Sequence, residues 1–208
     1  MADLAAHLRE VAPAADVLVV DGGSDDGTRE AAAAVGLRVI SADPGRAGQM
    51  NRGARQTAGD LLLFLHADTH LPPRAGALIR ETLTDPAVAL GAFGFRMDGS
   101  GFALGVVELG ARLRNRLVGM PYGDQALFLR RSNFDALGGF ADLPILEDLD
   151  LVDRAQALGR VVVRPECVVT SSRRYDERGV YRLMLRHWWL AGRFRLGWRP
   201  RPDQRVAR

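Results

Sequence analysis

Histidine and aspartate side chains follow an apolar run in LLLFLHADTHLPP, residues 61–73. His66, Asp68 and His70 could bind a metal or move a proton, and two interpretations compete. In the first, His66 and His70 form a zinc site. In the second, Asp68 lies alone at the tip of a strand and holds a divalent ion that a phosphate-bearing substrate also ligates, as is usual for Mg²⁺.

The residues around this cluster favour the second interpretation. Pro72 and Pro73 follow it, and because helix interiors reject proline, the two histidines are not expected on one helix. A helical metalloprotease site also needs a glutamate between its histidines, which this segment lacks. In an extended chain His66 and Asp68 point to the same side, at the strand end where ligands bind in open α/β sheets. His70 is expected to be structural.

A second acidic strand tip occurs in VLVVDGGSDDGT, residues 17–28. Asp21 ends the apolar run, and the glycines that follow, beginning with Gly22, keep the backbone open to a ligand. A carboxylate at this place can accept hydrogen bonds from a nucleobase or a ribose. The segment has neither the GxGxxG pattern of dinucleotide-binding folds nor the lysine of a P-loop. Asp25 and Asp26 are expected to cap the following helix.

These groups need a sheet to position them, and strand-like segments alternate with helical ones before Pro86. Strands are predicted over 17–21, 37–41 and 60–68, and helices over 27–36, 47–58 and 72–85. This β-α-β-α-β-α order is typical of a parallel sheet with helices on both faces. After Pro86 the pattern is mixed, and we expect these residues to complete the same sheet.

Two further helices and three further strands are predicted in the second half. In LGVVELGARLRNRLVG, the apolar residues Val106, Leu109, Leu113 and Leu117 recur at helical spacing. LEDLDLVDRAQALG begins with acidic residues and becomes a helix that Gly159 ends. The strands are predicted in ALGAFGFRM, DQALFLRR and RVVVRP. The glycines of GGF, residues 138–140, are expected to allow a tight turn.

Composition and charge bound the class of protein. The chain has 208 residues, of which 47% are hydrophobic and 25% charged, as is ordinary for one globular domain. No apolar run approaches the roughly 18 residues of a membrane span, and the N-terminus lacks the pattern of a secretory signal. The single cysteine, Cys167, excludes an intrachain disulfide framework. We expect a cytoplasmic protein.

Charge is distributed unevenly along the chain. Residues 173–208 hold 11 of the 28 basic residues and 3 of the 25 acidic ones, a net charge of +8, whereas residues 1–172 carry −5. VYRLMLRHWWLAGRFRLGW mixes three tryptophans with arginines, and basic amphipathic helices of this type can lie in a bilayer interface. Two interpretations stay open: the segment touches an anionic membrane or a lipid-linked acceptor, or it packs on the protein's own core.

Six segments together resemble the family 2 glycosyltransferases, inverting enzymes of the GT-A fold that use nucleotide-sugar donors. They are VVDGGSDDGT, GRAGQMNRGA, GDLLLFLHADT, PYGDQALFLRR, LGGF and LEDLDL, in this order. The resemblance covers about residues 4–200 and is strongest to the small subgroup of rSAM/selenodomain-associated transferases. It implies an α/β fold: a GT-A, Rossmann-like, mostly parallel sheet with helices on both faces and a C-terminal amphipathic helical segment. Residues 1–172 would form the nucleotide-sugar-binding and catalytic domain, and residues 173–208 its basic, aromatic extension.

The resemblance also implies roles for single residues. Asp68 matches the last aspartate of the metal-binding DxD motif, with Mg²⁺ or Mn²⁺ as the cofactor, while His66 replaces the first aspartate. Asp148 matches the general base, and Glu147 is its neighbour. The residues implied in donor binding are Asp21, Gly22, Arg46, Asn51, His66, Ala67, Asp68, Arg173 and Arg174. The residues implied on the acceptor side are Tyr122, Asp124 and Gln125.

The reaction implied is inverting transfer of a sugar from a nucleoside-diphosphate sugar to a hydroxyl acceptor. A carboxylate takes the hydroxyl proton, and a cation stabilises the charge that develops on the diphosphate. The partners expected are the donor, an acceptor that could be lipid-linked and the inner surface of the membrane, with no nucleic acid. Two alternatives stay open, a nucleotidyltransferase acting on a sugar phosphate and a non-catalytic binding module.

One element of the resembling family has no counterpart here. In that family a strand and a Pro/Asn/Glu-containing turn come first, whereas LAAHLREV at the start of this chain is typical of the helix that follows them. We expect the first strand to be missing from the sheet interior, beside the strand that ends at Asp21, and the chain to be truncated. A partner chain or a local rearrangement could instead fill the gap.

Overall fold

The computed structural model of the protein describes residues 1–99, 101–171 and 189–200. The helices are α1 (Ala2–Val11), α2 (Thr28–Ala34), α3 (Arg46–Arg55), α4 (Ala75–Leu83), α5 (Phe102–Val118), α6 (Arg131–Ala136) and α7 (Glu147–Leu158). The strands are β1 (Leu18–Asp21), β2 (Arg38–Ser41), β3 (Leu61–Leu63), β4 (Thr69–His70), β5 (Val88–Met97), β6 (Phe128–Arg130) and β7 (Arg160–Thr170). A 3-10 turn spans Gly123–Gln125, and residues 189–195 are helical.

The strands form two hydrogen-bonded sheets. β1 and β2 pair in parallel, and the other five strands lie in the order β3-β6-β5-β7-β4. Within this larger sheet β5 and β7 are parallel, while β6 and β4 run antiparallel to their neighbours. The α/β prediction is confirmed, and so is the expectation that the second half completes a sheet begun by the first, because β3 pairs with β6.

Helices cover both faces of the five-stranded sheet, as predicted. Side chains alternate along β6 and the residues before it, so that Phe128 packs into one core and Leu127 and Leu129 into the other. The first core is closed by buried side chains of α1, α4 and α5, and the second by those of α3, α6 and α7. The two cores, one on each face of the sheet, therefore hold the strands and their ends in place.

The outer edges of β1 and β3 are left unpaired within the described residues. β1 hydrogen-bonds only to β2, and β3 only to β6. Consistent with this, the side chains of β1 before Asp21 are half-buried, as are Leu61 and Leu63 of β3. The expectation that a strand is missing beside the one that ends at Asp21 stays a prediction.

The C-terminal segment is described only in part, since residues 172–188 and 201–208 lie outside the described ranges. In residues 189–200, Phe194 is 2% exposed and belongs to the second core, whereas Trp189 is 59% exposed. The described part thus packs on the protein through one aromatic side chain and presents another outward. Among the described residues, no helix combines the length and the apolar character that crossing a membrane requires.

Candidate active site

The carboxylate at the end of β1 is held by its own loop. Asp21 is 3% exposed and accepts hydrogen bonds from the backbone N–H groups of Gly23 (3.1 Å) and Ser24 (3.2 Å). Hydrogen bonds from the Ser24 side chain, and then from these amides, lower the pKa of Asp21. The group is therefore an ionised hydrogen-bond acceptor at neutral pH, at the edge where the β1–α2 loop opens.

A polar cavity of about 280 Å³ lies beside Asp21 and is called the Asp21 pocket below. It is lined by Gly22, Gly23, Ser24, Asp25, Asp26 and Gln49. Gln49 reaches from α3 and donates a hydrogen bond from Nε2 to the carbonyl of Val20 (3.0 Å). A Cβ atom on Gly22 would lie 2.8 Å from that nitrogen, so glycine is needed there. Gln49 was not singled out in the sequence, because nothing in its spacing indicates this contact.

Asp26 has the capping role that was predicted for it. It accepts hydrogen bonds from the backbone N–H (3.1 Å) and the hydroxyl (2.6 Å) of Thr28, the first residue of α2. A larger cavity of about 490 Å³ lies at the other end of β3, against Asp60 and Leu61, and contains none of the predicted site residues. The predicted site residues therefore lie toward the carboxyl ends of the strands and not at this cavity.

Asp68 lies in a turn and not in a strand, which corrects the sequence prediction. β3 ends at Leu63, and the backbone N–H of Thr69 closes a turn on the carbonyl of His66 (3.1 Å). Strand alternation therefore does not place His66 and Asp68 on one face. Asp68 is half-buried, and its backbone carbonyl accepts a hydrogen bond from Ser171 (3.2 Å), which ties the turn to the end of β7.

His70 turns away from this site, as its predicted structural role requires. Its Nε2 lies 3.5 Å from the carboxylate of Asp3, and its ring centroid is 5.0 Å from that of His7 on α1. Within the ranges that the structure describes, no three His, Cys, Asp or Glu side chains are grouped closely enough to hold a metal ion. This arrangement does not support the zinc interpretation and leaves Asp68 as a single carboxylate.

Asp148 is held by two backbone donors at the start of α7. Its Oδ2 accepts a hydrogen bond from the N–H of Gly123 (2.6 Å), and its Oδ1 accepts one from Leu149 (2.8 Å). A Cβ atom on Gly123 would lie 3.1 Å from Oδ2, so this close approach favours glycine. The carboxylate is half-buried and keeps lone pairs on both oxygens, so it can accept a proton from a ligand.

Glu147 lies deeper and faces Arg46. It is 3% exposed, and its carboxylate is 3.7 Å from the guanidinium of Arg46 at the start of α3. Burial, and then the neighbouring Asp148, raise the pKa of Glu147, while Arg46 opposes the rise. The geometry makes Glu147 the partner that orients Arg46 and leaves Asp148 as the more accessible of the two acids.

Asp124 connects the separate acidic groups electrostatically. Its pKa is raised to about 6, mainly by burial and in smaller part by Asp148 and Asp68, while Arg114 and Arg46 oppose the rise. Three carboxylates from separate segments therefore interact electrostatically: Asp68 after β3, Asp124 before β6 and Asp148 at the start of α7. Such a site has an excess of negative charge, which a divalent cation or a proton would reduce.

Gln125 supports this segment and does not face an acceptor, which corrects its predicted role. It is 0% exposed, and its Nε2 donates to the carbonyl of Phe93 on β5 (2.8 Å). Its Oε1 accepts hydrogen bonds from Arg114 (2.6 Å) and from the backbone of Tyr122 (3.1 Å). With both ends of the amide in use, no group remains for a substrate hydroxyl. Tyr122 and Asp124 stay candidates on the acceptor side.

Arg114, on α5, was missed in the sequence. Its guanidinium carbon lies 3.5 Å from the centroid of the Tyr122 ring, and its Nε donates to the carbonyl of Met120 (2.8 Å). Together with its bond to Gln125, these contacts hold residues 120–125 in one conformation. This role of Arg114 follows only from its contacts in the folded structure, which the spacing of residues in the sequence does not indicate.

Asn51 is bound to the backbone of Phe140, and its role in donor binding stays a prediction. Its amide donates to the carbonyl of Phe140 (2.8 Å) and accepts from the N–H of the same residue (2.9 Å). Gly138 and Gly139 have φ values of 73° and 75°, so the predicted tight turn is confirmed. Arg173 and Arg174 lie outside the described residues.

Comparison with known proteins gives a family. The model of Glycosyl transferase family 2 matches residues 4–134. A beta-monoglucosyldiacylglycerol synthase from Synechocystis sp. is 28% identical over 193 residues, which are 80% of this chain and 39% of that protein. The chain thus spans well under half the length of this curated relative.

Solved structures of similar fold include two sugar-transferring enzymes. A mannosyltransferase from Pyrobaculum calidifontis in complex with GDP-Man and Mn²⁺ gives a TM-score of 0.63 at 20% identity, over 80% of this chain and 51% of that one. Glucosyl-3-phosphoglycerate synthase from Mycobacterium tuberculosis, with Mn²⁺, UDP-glucose and phosphoglyceric acid, gives 0.55 at 21% identity, over 85% and 69%. At these identities the likeness concerns the fold.

Proposed function

Because the chain belongs to glycosyl transferase family 2, we propose that it transfers a sugar from a nucleoside-diphosphate sugar to a hydroxyl acceptor, with inversion. The observation that carries the proposal is the hydrogen bond from the N–H of Gly123 to the carboxylate of Asp148 (2.6 Å), which brings Asp148 next to Asp124, whose pKa both Asp148 and Asp68 raise. Three acids contributed by separate segments suit a reaction in which one carboxylate takes a proton and another supports a cation. The subgroup of rSAM/selenodomain-associated transferases stays a prediction.

The donor nucleoside is proposed to bind at the Asp21 pocket. Asp21 is ionised and buried by its own loop, and it is placed to accept hydrogen bonds from a base or ribose. Gly22 and Gly23 leave the backbone open beside it, and Gln49 fixes the end of β1. Arg46, whose side chain is 55% exposed, would face the phosphates.

The donor set fits a divalent cation that the substrate also ligates. Asp68 is the residue proposed to hold Mg²⁺ or Mn²⁺, with His66 and Ala67 in the same turn beside the donor. When bound with the diphosphate, such an ion stabilises the negative charge of the leaving group. A single carboxylate suits this arrangement, since Mg²⁺ is usually held by one or two carboxylates and substrate phosphates.

Asp148 is proposed to take the proton from the acceptor hydroxyl. The N–H groups of Gly123 and Leu149 fix the orientation of its carboxylate, so little reorganisation is required when the acceptor arrives. The hydroxyl oxygen forms the new bond to the anomeric carbon as the bond to the nucleoside diphosphate breaks on the opposite face. Its proton goes to Asp148, and no covalent intermediate with the protein is needed.

The acceptor is proposed to be a lipid-linked hydroxyl compound at the inner surface of the membrane, with the protein cytoplasmic and peripheral. The support is the name of the Synechocystis relative, whose product contains diacylglycerol. Tyr122 and Asp124 are the residues proposed to contact the acceptor, since they lie beside Asp148 on the segment that Arg114 and Gln125 hold.

A thermal-shift panel with Mn²⁺ and UDP-sugars, GDP-sugars or nucleoside triphosphates tests this function first. Stabilisation by one nucleotide sugar with Mn²⁺, followed by sugar transfer to added acceptors, is the expected result. A preference for nucleoside triphosphates with a sugar phosphate would favour a nucleotidyltransferase. Binding without turnover toward any acceptor would favour a non-catalytic module.

A further inference from the structure

α5 is apolar on its outer face as well as on its inner one. Leu104, Val107 and Ala111 pack into the first core. On the opposite side of the helix, Phe102 is 85% exposed and Leu117 78%. A surface helix of a globular protein ordinarily carries polar residues on its outer face, and an all-apolar helix is usually buried on every side.

The exposed apolar side chains are concentrated in two neighbouring elements. On the outer side of α5 they are Phe102, Leu109, Leu113 and Leu117, which are called the apolar face below; Val118 ends the helix, and Trp189 and Leu196 lie near the C-terminus. Among the described residues, only one other large apolar side chain, Leu158, is exposed to a similar degree. The concentration of four such side chains on one side of α5 makes the apolar face a feature of the molecule and not scattered surface variation.

Contacts at Met120 join these two elements. Met120 follows α5 and packs in the second core together with Phe194. The guanidinium of Arg195 lies 3.7 Å from the sulfur of Met120. The helical residues 189–195 therefore lie beside the C-terminal end of α5, with Phe194 in the second core and α5 packed on the first.

Arginines accompany the apolar face and acids do not. Arg112 and Arg116 are exposed on α5, and the guanidinium of Arg193 lies 4.5 Å from the ring centroid of Trp189. Residues 109–122 and 189–200 contain no aspartate or glutamate. The one acid on α5, Glu108, accepts a hydrogen bond from the backbone of Met97 (2.9 Å). The field at this face is positive.

We propose that the apolar face docks on an anionic lipid bilayer, with α5 lying in the plane of the interface. The leucines and Phe102 would enter the boundary between headgroups and acyl chains, and Arg112 and Arg116 would bind lipid phosphates. Pairing with a second copy through the same face would bring two arginine-bearing patches together, because a two-fold interface joins identical patches. Charge complementarity thus selects the anionic bilayer.

Docking through α5 would also bring the proposed acceptor-binding segment close to the membrane surface. Arg114 extends from the same helix and holds Tyr122 and Gln125, so the segment proposed to contact the acceptor lies next to the docked helix. This consequence rests on the proposed function, whereas docking itself requires neither donor nor catalysis. Failure of one can therefore be told from failure of the other.

Co-sedimentation of the full chain with vesicles tests the docking. Phosphatidylcholine vesicles are compared with vesicles that also contain phosphatidylglycerol. We expect binding to the anionic vesicles, weakened at least about tenfold in Leu109→Ser/Leu113→Ser because two partly exposed leucines no longer enter the bilayer. Leu158→Ser is the matched control, since Leu158 and Leu113 are both 48% exposed; it should bind like the unchanged chain.

The charged part of the face is tested by Arg112→Gln/Arg116→Gln. Binding to anionic vesicles should fall about tenfold, and its dependence on salt should become weaker. Equal binding to neutral and anionic vesicles, or equal losses in Leu109→Ser/Leu113→Ser and Leu158→Ser, would overturn the proposal. So would a dimer in light scattering that Leu109→Ser/Leu113→Ser disperses in the absence of any vesicle binding. Thermal unfolding and Mn²⁺-dependent nucleotide-sugar binding, measured without lipid, should be unchanged in every variant.

Discussion

The two sides of the site are built in opposite ways. The Asp21 pocket is carried by a two-stranded sheet and a glycine-rich loop, and its carboxylate is satisfied by loop amides. The segment from Tyr122 to Gln125 is carried by a five-stranded sheet and is locked by a fully buried amide and an arginine. The first side leaves room for a ligand to complete it, whereas the second is already completed by the protein.

This contrast has a chemical counterpart in the acids of the two sides. Hydrogen bonds lower the pKa of Asp21, while burial raises that of Asp124 to about 6. Donor recognition is thus assigned to a carboxylate that stays charged. On the proposed acceptor side, burial and neighbouring acids make the negative charge of Asp124 unfavourable. Such a place suits the binding of a proton or a cation.

Asp148→Asn is expected to have the largest effect. Transfer should fall at least about 100-fold, because an amide cannot take the acceptor proton. The affinity for the nucleotide sugar with Mn²⁺ should be unchanged, since the Asp21 pocket lies on the other side. Initial rates and calorimetry on the same preparation measure both. If Asp148→Asn turns over like the unchanged enzyme, the base lies elsewhere, and Glu147→Gln is the next variant.

Asp68→Ala is expected to abolish metal-dependent donor binding. Mn²⁺ should bind weakly to the free protein and tightly only with UDP or GDP, because Asp68 is proposed to be a single carboxylate ligand that the diphosphate completes. Calorimetric titrations with and without each nucleotide measure this dependence. Tight binding of Mn²⁺ to the free protein that is unchanged in Asp68→Ala would contradict the assignment.

A pair of glutamine variants compares the two sides directly. Gln125→Ala should reduce the free energy of unfolding by about 2–4 kcal/mol, because it removes the hydrogen bonds that the buried amide makes with the carbonyl of Phe93, Arg114 and the backbone of Tyr122. Gln49→Ala loses one bond to Val20 beside an open pocket and should cost less than about 1 kcal/mol, while weakening nucleotide binding. Urea unfolding and nucleotide titration decide; similar losses of stability would mean that the two sides do not differ in rigidity.

Asp124→Asn is expected to stabilise the protein at neutral pH. The pKa of Asp124 is raised from 3.8 in the unfolded state to about 6 in the folded state. Ionised Asp124 therefore destabilises the folded protein fully at pH values above the folded pKa, and not at all well below the unfolded pKa. We expect a gain of about 1–2 kcal/mol at neutral pH and none near pH 4, discounted for partial exposure. Denaturant unfolding at both pH values measures it.

Asp21→Asn should act in the opposite direction and more weakly. A lowered pKa contributes stability above the unfolded value, and that contribution is lost as the pH falls through the folded value. The variant should therefore be less stable than the unchanged chain at neutral pH, and the difference should shrink in acid. The same unfolding series shows this; a variant that is more stable at neutral pH would contradict the hydrogen-bonded role of Asp21.

The sequence by itself determined the features that depend on near neighbours in the chain. Asp21 follows an apolar strand and precedes glycines, the two glycines before Phe140 turn the chain, and Asp26 caps α2, all within a few residues. Most of the strand and helix order also came from local periodicity, but the short elements β4 and α6 were not predicted, and the strand predicted over 60–68 ends at Leu63, where two half-buried residues continue the apolar pattern.

Tertiary structure decided which polar groups remain available to a ligand. Asn51 and Gln125 are the right residue types for binding hydroxyls, but each has both ends of its amide bound within the protein, Asn51 by the distant backbone of Phe140 and Gln125 by the distant carbonyl of Phe93 and by Arg114 and Tyr122. Arg114 and Gln49 act through contacts that local spacing does not encode. A side chain can serve a ligand only with the hydrogen-bonding capacity that the fold leaves unused, and long-range packing determines how much that is.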